Sequence, residues 1–312
     1  MKMKKIALLF FALLLLLLPN PAKAAELKGT ITISGAWAIY PTAVAWADAF
    51  RQKNPGVRID ISAGGAGKGA ADAIAGLADI GMVSREPDPA ELKKGVVPVY
   101  VLHDAVFPIV SERNPSLDAI LSKGITKDKW SGLYIAGLIS TWDEIAGTKT
   151  GKKVHVYTRS DSCGAAASWA KYVANKKQDD LKGVGVYGDP GLVEAVRRDP
   201  LGIGYSNFSF VFTREGTVAK GIKLVPIDAN KNGKADTDEV LGSRDAAIKA
   251  IEAGNYPATR KNYFFVKGKP QGPIKEFISF VLSDEGERIV NEVGASLPIP
   301  KVEREKVLKS LQ

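Results

Sequence analysis

Residues 29–70 read GTITISGAWAIYPTAVAWADAFRQKNPGVRIDISAGGAGKGA, and the alternation inside this stretch sets the fold class. GTITISG (29–35) is rich in β-branched residues and predicts a strand. A helix opens at Pro41, where proline fits the first turn, and Asn54-Pro55-Gly56 stops it. VRIDISAGG (57–65) predicts the next strand and GAADAIAGLA (69–78) the next helix. DIGMVS (79–84) and VPVYVL (97–102) read as further strands. The second half continues the style with KKVHVYT (152–158), AAASWAKYVANKK (165–177), GVGVYG (183–188), GLVEAVRRD (191–199) and GIGYSNF (202–208). Near the C-terminus, Ile274, Phe277, Ile278, Val281 and Leu282 make one apolar helical face. Strands alternating with helices predict an α/β fold with largely parallel sheets.

The first residues bear on where the chain goes. Lys2, Lys4 and Lys5 precede 13 apolar residues, Ile6 to Leu18, and a small-residue site follows at Ala22-Lys23-Ala24. That order predicts a cleaved secretory signal over 1–24. The apolar run is short of the roughly 18 residues expected of a spanning helix. No cysteine follows it to take a lipid. Removing 1–24 lowers the formal charge from +9 to +5, with acids and bases interspersed. This balance suits small anions and gives no reason to expect nucleic acid. Cys163 is the only cysteine, so no internal disulfide forms and the fold rests on its core.

Three Gly- or Ser-rich segments sit between a strand and a helix: SGAWAIYP (34–41), SAGGAGKGA (62–70) and RSDSCGAAA (159–167). Each junction points free N–H groups and the positive end of a helix at whatever lies there. Three of them converging would make an anion cleft; three ordinary βα loops are the alternative. The GGAGKG run lacks the Walker pattern, because Gly69 follows Lys68 and Ser62 stands at the first glycine position.

Taken with ADIGMVSRE (78–86), RNPSLDAI (113–120), ISTWDEIAG (139–147), VYTRSDSCGAA (156–166) and GPIKEFISFVLSDEGERIVNEVGASLPIP (272–300), the chain resembles the substrate-binding proteins of phosphate ABC transporters. The resemblance implies a two-lobed, periplasmic-binding-protein-like α/β fold of type II, each lobe a mixed sheet flanked by helices. Lobe 1 would comprise 25–104 and about 262–312, and lobe 2 about 105–261. The expected crossovers lie near His103–Asp104 and in ATRKNYFFVKG (258–268). It also implies a small anion ligand, phosphate first, a membrane permease as partner, a monomer, a periplasmic or secreted location, no required cofactor and no catalysis. Molybdate, tungstate, sulfate or an organic anion, or a role as ligand sensor, form the alternative.

Carried over position by position, the resemblance implies contacts from the Ala38–Ile39 position of the first loop and from Ala66 and Gly67 in the second; Trp37 and Tyr40 are expected to face the cleft, with packing at a strand end as the alternative. Ser84 and Arg85 follow β-rich DIGM, and Arg159, Ser162, Cys163, Gly164 and Ala165 lie in the third loop. Relatives place serine and threonine where this chain has Cys163 and Ala165. Each missing hydrogen bond to a charged group is worth about 1.5–3 kcal/mol, so weaker phosphate binding is expected.

DANKNGKADTDE (228–239) satisfies a separate pattern, that of a calcium loop. Asp228, Asn230, Asn232, the Lys234 carbonyl, Asp236 and Glu239 occupy the ligand positions around Gly233. A possible structural calcium is the expectation, and a polar turn without metal the alternative. An enzyme would use Cys163 as nucleophile with His155 or His103 as base, since a helix start lowers a thiol's pKa. No supporting Asn or Asp stands in a known order, and this reading is disfavoured.

Overall fold

A computed structural model describes residues 26–311; the apolar run and small-residue site of 1–24 lie outside them. The strands are β1 (Gly29–Gly35), β2 (Val57–Ala63), β3 (Ile80–Val83), β4 (Val96–Ser111), β5 (Ile125–Thr126), β6 (His155–Arg159), β7 (Val184–Val186), β8 (Gly202–Asn207), β9 (Ile222–Leu224), β10 (Ile227–Asp228), β11 (Thr259–Lys267) and β12 (Leu297–Pro298). Ten of them form one sheet in the order β2-β1-β3-β11-β4-β8-β6-β7, with β9 and β12 also on β4. β10 and β5 pair separately.

The sheet is mixed, as the family resemblance implied, and not largely parallel, as strand–helix alternation alone suggested. β1, β2 and β3 run parallel, as do β6, β7 and β8, but β11 is antiparallel to β3 and β4, and β4 is antiparallel to β8. Local patterns found the strands; much of the reversed pairing is made by residues 259–267, more than 150 positions after the β4 residues they pair with. VPVYVL is the first part of a strand that continues to Ser111.

Buried apolar side chains fall into two clusters. One draws on residues 31–102 and 263–311, the other on 105–258 with Leu297. In the first, helix α1 (Tyr40–Lys53) buries Trp46 and Phe50. Trp46 meets Phe264 edge-on and donates its Nε1–H to the Gly286 carbonyl, while Phe50 packs on Phe277. Full burial of such side chains stabilises by about 1.5–3 kcal/mol each. In the second, Trp169 packs among Trp130, Tyr134 and Tyr205.

Three helices differ from their sequence-based bounds. Helix α2 spans Ala66–Ala75, starting three residues before the expected Gly69. Its glycines look like loop residues, and a helical glycine costs about 1 kcal/mol relative to alanine. Here they serve contact, because a Cβ at Gly69 would strike the Met82 carbonyl. Helix α3 covers Gly164–Ala174, and helix α4 covers Gly188–Arg198, opening at Gly188 rather than Gly191. The C-terminal apolar run is two helices, α5 (Gly272–Val281) and α6 (Asp284–Val293), because Ser283 caps the second by accepting the Gly286 N–H. Among the described residues no helix is long and apolar enough to cross a membrane.

The chain passes between the clusters along β4 and returns along β11. Asp104 on β4 stands directly opposite Arg260 on β11. Its Oδ2 accepts from Arg260 Nε at 3.1 Å and Nη2 at 2.6 Å, and its Oδ1 accepts from the Ala105 N–H at 2.7 Å. Arg260 also donates to Asn207, at the end of β8. Both partners are almost wholly buried, so removing one strands the other's charge. Asp104→Ala should therefore destabilise the fold by about 3–5 kcal/mol in urea unfolding. Asp104→Leu with Arg260→Met should recover most of that loss; equal stability of Asp104→Ala and wild type would contradict the role given to the pair.

Candidate functional site

Three strand–helix junctions meet where the two clusters face one another. In the first, the Ala36 N–H donates to the Met82 carbonyl at 2.9 Å, tying the loop to the end of β3. Ala36, Ala38 and Ile39 are buried. Trp37 faces Tyr40 at 6.4 Å between ring centroids and Tyr187 edge-on at 6.3 Å. Trp37 also lies beside Gly188, so this tryptophan touches the second lobe.

In the second junction, the Gly64 and Gly65 N–H groups donate to the Gly35 carbonyl. The start of α2 then crosses the interface, with the Gly67 N–H donating to the Ser162 carbonyl at 3.0 Å. A Cβ at Gly67 would overlap the Ser162 side chain. Gly164, the first residue of α3, lies against Ser84, and a Cβ there would run into the Ser84 carbonyl and hydroxyl. Ala66, Gly67, Ser84, Ser162, Cys163, Gly164 and Ala165 are thus brought to one meeting point between the lobes.

Helix α3 is held at that point from its N-cap. Cys163 is extended, and its Sγ accepts the Ala166 N–H at 3.4 Å. Its own N–H donates to Gln178 Oε1 at 2.9 Å, and Gln178 Nε2 donates back to the Asp161 carbonyl at 2.7 Å. By helix geometry the Gly164 and Ala165 N–H groups have no intrahelical acceptor and remain available. Burial pushes the Cys163 thiol up to about 12, against the pull of Arg159. The helix start therefore does not produce a thiolate, which corrects the chemistry the nucleophile reading needed.

Arg159 closes the floor. Its side chain is fully buried. Nε donates to Asp161 Oδ1 at 2.8 Å, Nη2 to Asp161 Oδ2 at 2.5 Å, and Nη1 to Asp189. Burial works against the guanidinium charge, but Asp189 and Asp161 outweigh it and hold its pKa above the ordinary value. Burial raises the Asp189 carboxyl in turn, while Arg159 and Arg260 oppose the rise. A guanidinium has five N–H groups, so three bonds leave two.

Asp161, Asp189 and Gln178 hold this site together, and the sequence reading missed all three. The only signals were an acid two residues after Arg159 and one beside the Gly188-Pro190 helix start. Arg85 lies elsewhere: it makes two bonds to Glu91, at 2.9 and 2.6 Å, and faces a side groove. His155 stands 2.7 Å from Asp199, and His103, lowered by burial, 3.3 Å from the Tyr100 hydroxyl. Neither is bonded to Cys163.

The 228–239 loop turns at Gly233, with φ of 74°. Asp228 is buried and accepts the Asn232 and Gly233 N–H groups. Glu239 accepts from Ala229 and Asp236, and the Asn230 and Asn232 amides donate to Asp236 at 2.8 Å. Among the described residues no three His, Cys, Asp or Glu side chains gather closely enough to hold a metal by themselves. A cation here would need the Asn and Lys234 oxygens as well.

A family model for the PBP superfamily domain matches residues 20–285. The phosphate-binding protein PstS of Bacillus subtilis (strain 168) is 27% identical over 270 residues, covering 86% of this chain and 80% of that protein. PstS of Pseudomonas aeruginosa PAO1 is 27% identical over 317 aligned positions, covering 94% and 90%. A phosphate ABC transporter substrate-binding protein from Clostridium perfringens, solved with bound phosphate, superposes with a TM-score of 0.71 at 25% identity, covering 87% of this chain and all of that one. An ABC-type phosphate transport receptor from Vibrio cholerae shares the fold, with a TM-score of 0.64 at 21% identity, covering 86% and 100%.

Because Gly164 touches Ser84 across the interface, Gly164→Ala should hold the lobes apart. Small-angle scattering should report a larger radius of gyration than wild type at unchanged helix content. An unchanged radius would mean that the contact at Gly164 does not set closure.

Proposed function

The chain belongs to the PBP superfamily, and from that membership we propose that it is an exported, monomeric solute-binding protein. It captures phosphate between its lobes and delivers it to the permease of an ABC importer. The observation that carries this reading is the meeting of the α2 and α3 starts, from opposite lobes, over the buried Arg159. Relatives named for phosphate binding support the choice of ligand.

The donors follow from the geometry. The Gly164 and Ala165 N–H groups take two oxyanion oxygens at the positive end of α3, and the two remaining Arg159 N–H groups supply charge. Ser84 and Ser162 add hydroxyls. Closure brings Gly67 onto Ser162, so entry and release require the lobes to part. The chain acts as a binder with no catalytic step: the Cys163 thiol is buried, protonated and occupied in capping α3. Residues 1–24 direct it out of the cytoplasm, to a periplasm or beyond a single membrane.

Cys163 and Ala165 favour one further reading, in which the ligand is a different small anion. A serine at 163 would accept the Ala166 N–H and still have its O–H to donate, whereas the thiol does both weakly. Calorimetry on ligand-stripped protein against phosphate, sulfate, molybdate and tungstate separates the two readings. Phosphate should bind, and Cys163→Ser should tighten it by about 1.5–3 kcal/mol, roughly tenfold or more. Tighter molybdate or tungstate binding than phosphate would select the second reading, and no binding of any oxyanion would overturn both.

We propose in addition that the 228–239 loop takes a structural calcium ion. Its donors are the oxygens a hard cation prefers, and its turn at Gly233 is already folded. Binding would exchange the Asn230 and Asn232 donations to Asp236 for amide oxygens on the ion. Calcium in hundredfold excess over its Kd should stabilise the protein by about 2.7 kcal/mol, and chelator should reverse this. Glu239→Gln should abolish the response; a melting temperature indifferent to calcium in the wild type rules the ion out.

A further inference from the structure

Beside the meeting point, a groove of about 830 Å³ runs between the lobes along the flank of α3. Lobe 1 contributes Arg85 and Glu86, lobe 2 contributes Lys127, Lys171, Lys176 and Lys177, and the buried Arg260 belongs to its lining. Among the described residues none of these four lysines is in a salt bridge; Lys127 lies over the Tyr172 ring at 5.5 Å. Lobe 1 also brings two carboxylates, Glu86 and Asp88, to the groove. Arg85 is neutralised by Glu91, Glu86 accepts the Tyr263 hydroxyl, and Asp88 caps a short helix. Arg260 retains Nη1 buried and without an acceptor.

Two features tie this groove to the anion site. Gln178, at its wall, holds both the Cys163 N–H and the Asp161 carbonyl, so one segment shapes groove and helix start together. Helix α3 has 11 residues, about 16 Å, and the free lysines lie in its last turn and just beyond it. The groove's lining on α3 begins at Ala167, about one turn from Gly164, and brings these lysines alongside the helix start. Cationic walls on a concave surface concentrate the potential and favour ligands with several negative charges.

We propose that the groove binds the tail of a linear condensed phosphate whose terminal phosphate occupies the start of α3. The ligand class becomes short-chain inorganic polyphosphate in addition to orthophosphate. This rests on the reading of the α3 start as an anion site. An acidic segment of a partner protein is the competing occupant for the same lysines, and it predicts no preference between the two phosphates.

The test is calorimetry at about 0.15 M salt, where distant surface charges are screened. Orthophosphate and tripolyphosphate are titrated separately into ligand-stripped wild type and into Lys171→Ala/Lys176→Ala/Lys177→Ala. These lysines are exposed, so the variant should fold. Tripolyphosphate should bind one per chain and about tenfold or more tighter than orthophosphate; the variant should lose that advantage and keep its orthophosphate affinity within about twofold. Tripolyphosphate binding no tighter than orthophosphate, or unaffected by the substitutions, overturns the groove and leaves the orthophosphate reading standing. Lysine-dependent tripolyphosphate binding without orthophosphate binding does the reverse, and no binding of either ligand overturns both.

Discussion

The buried carboxylate of Asp104 is the constraint on which the two lobes depend. It accepts hydrogen bonds from its own strand and from Arg260 on the returning one, and Arg260 reaches on to Asn207 at the end of β8. Three strands are thus tied at the level where one hydrophobic cluster gives way to the other. Taking two charges out of water is costly, so the pair adds little net stability, but losing either partner leaves the other charge buried and uncompensated. The pair's location fixes which strand ends face each other, and hence where the helix starts meet.

From there the site is assembled by backbone rather than by side chains. Gly67 and Gly164 let α2 and α3 approach the opposite lobe closely enough for main-chain contact. Arg159 supplies charge, but two carboxylates hold it rigidly, so it cannot follow a ligand as a surface arginine would. The main-chain groups at this meeting point are fixed by backbone and do not depend on the side chains at 163 and 165.

Much of this was legible in local sequence. GTITISG, VRIDISAGG and GIGYSNF became strands because β-branched and apolar runs need no partner information to be recognised, and Pro41 with Asn54-Pro55-Gly56 bounded α1 closely. The three Gly-rich junctions were visible for the same reason. The mixed sheet was not visible in these local patterns and came only from the family resemblance, since β11 inserts between β3 and β4 from far along the chain. The start of α2 was misread because Gly67 and Gly69 serve interlobe and interstrand contact, which propensity does not encode. Arg85 was expected at the ligand, but Glu91 six residues later draws it aside. Asp189 carried no sequence signal for its partnership with Arg159, 30 positions away.

Because β4 runs unbroken through both clusters and β11 lies between it and β3, the order of synthesis matters. Residues 105–258 carry nearly all of the second lobe's core and emerge together. The first lobe's strands β1 to β3 emerge earlier but lack β11, α5 and α6 until the last fifty or so residues are made. Until then the edges of β3 and β4 stand unpaired, the kind of surface that joins other chains. A chain that must cross a membrane before folding avoids this interval only if it is kept unfolded to its end. Truncation just before residue 259 would leave a nearly finished second half attached to an open sheet.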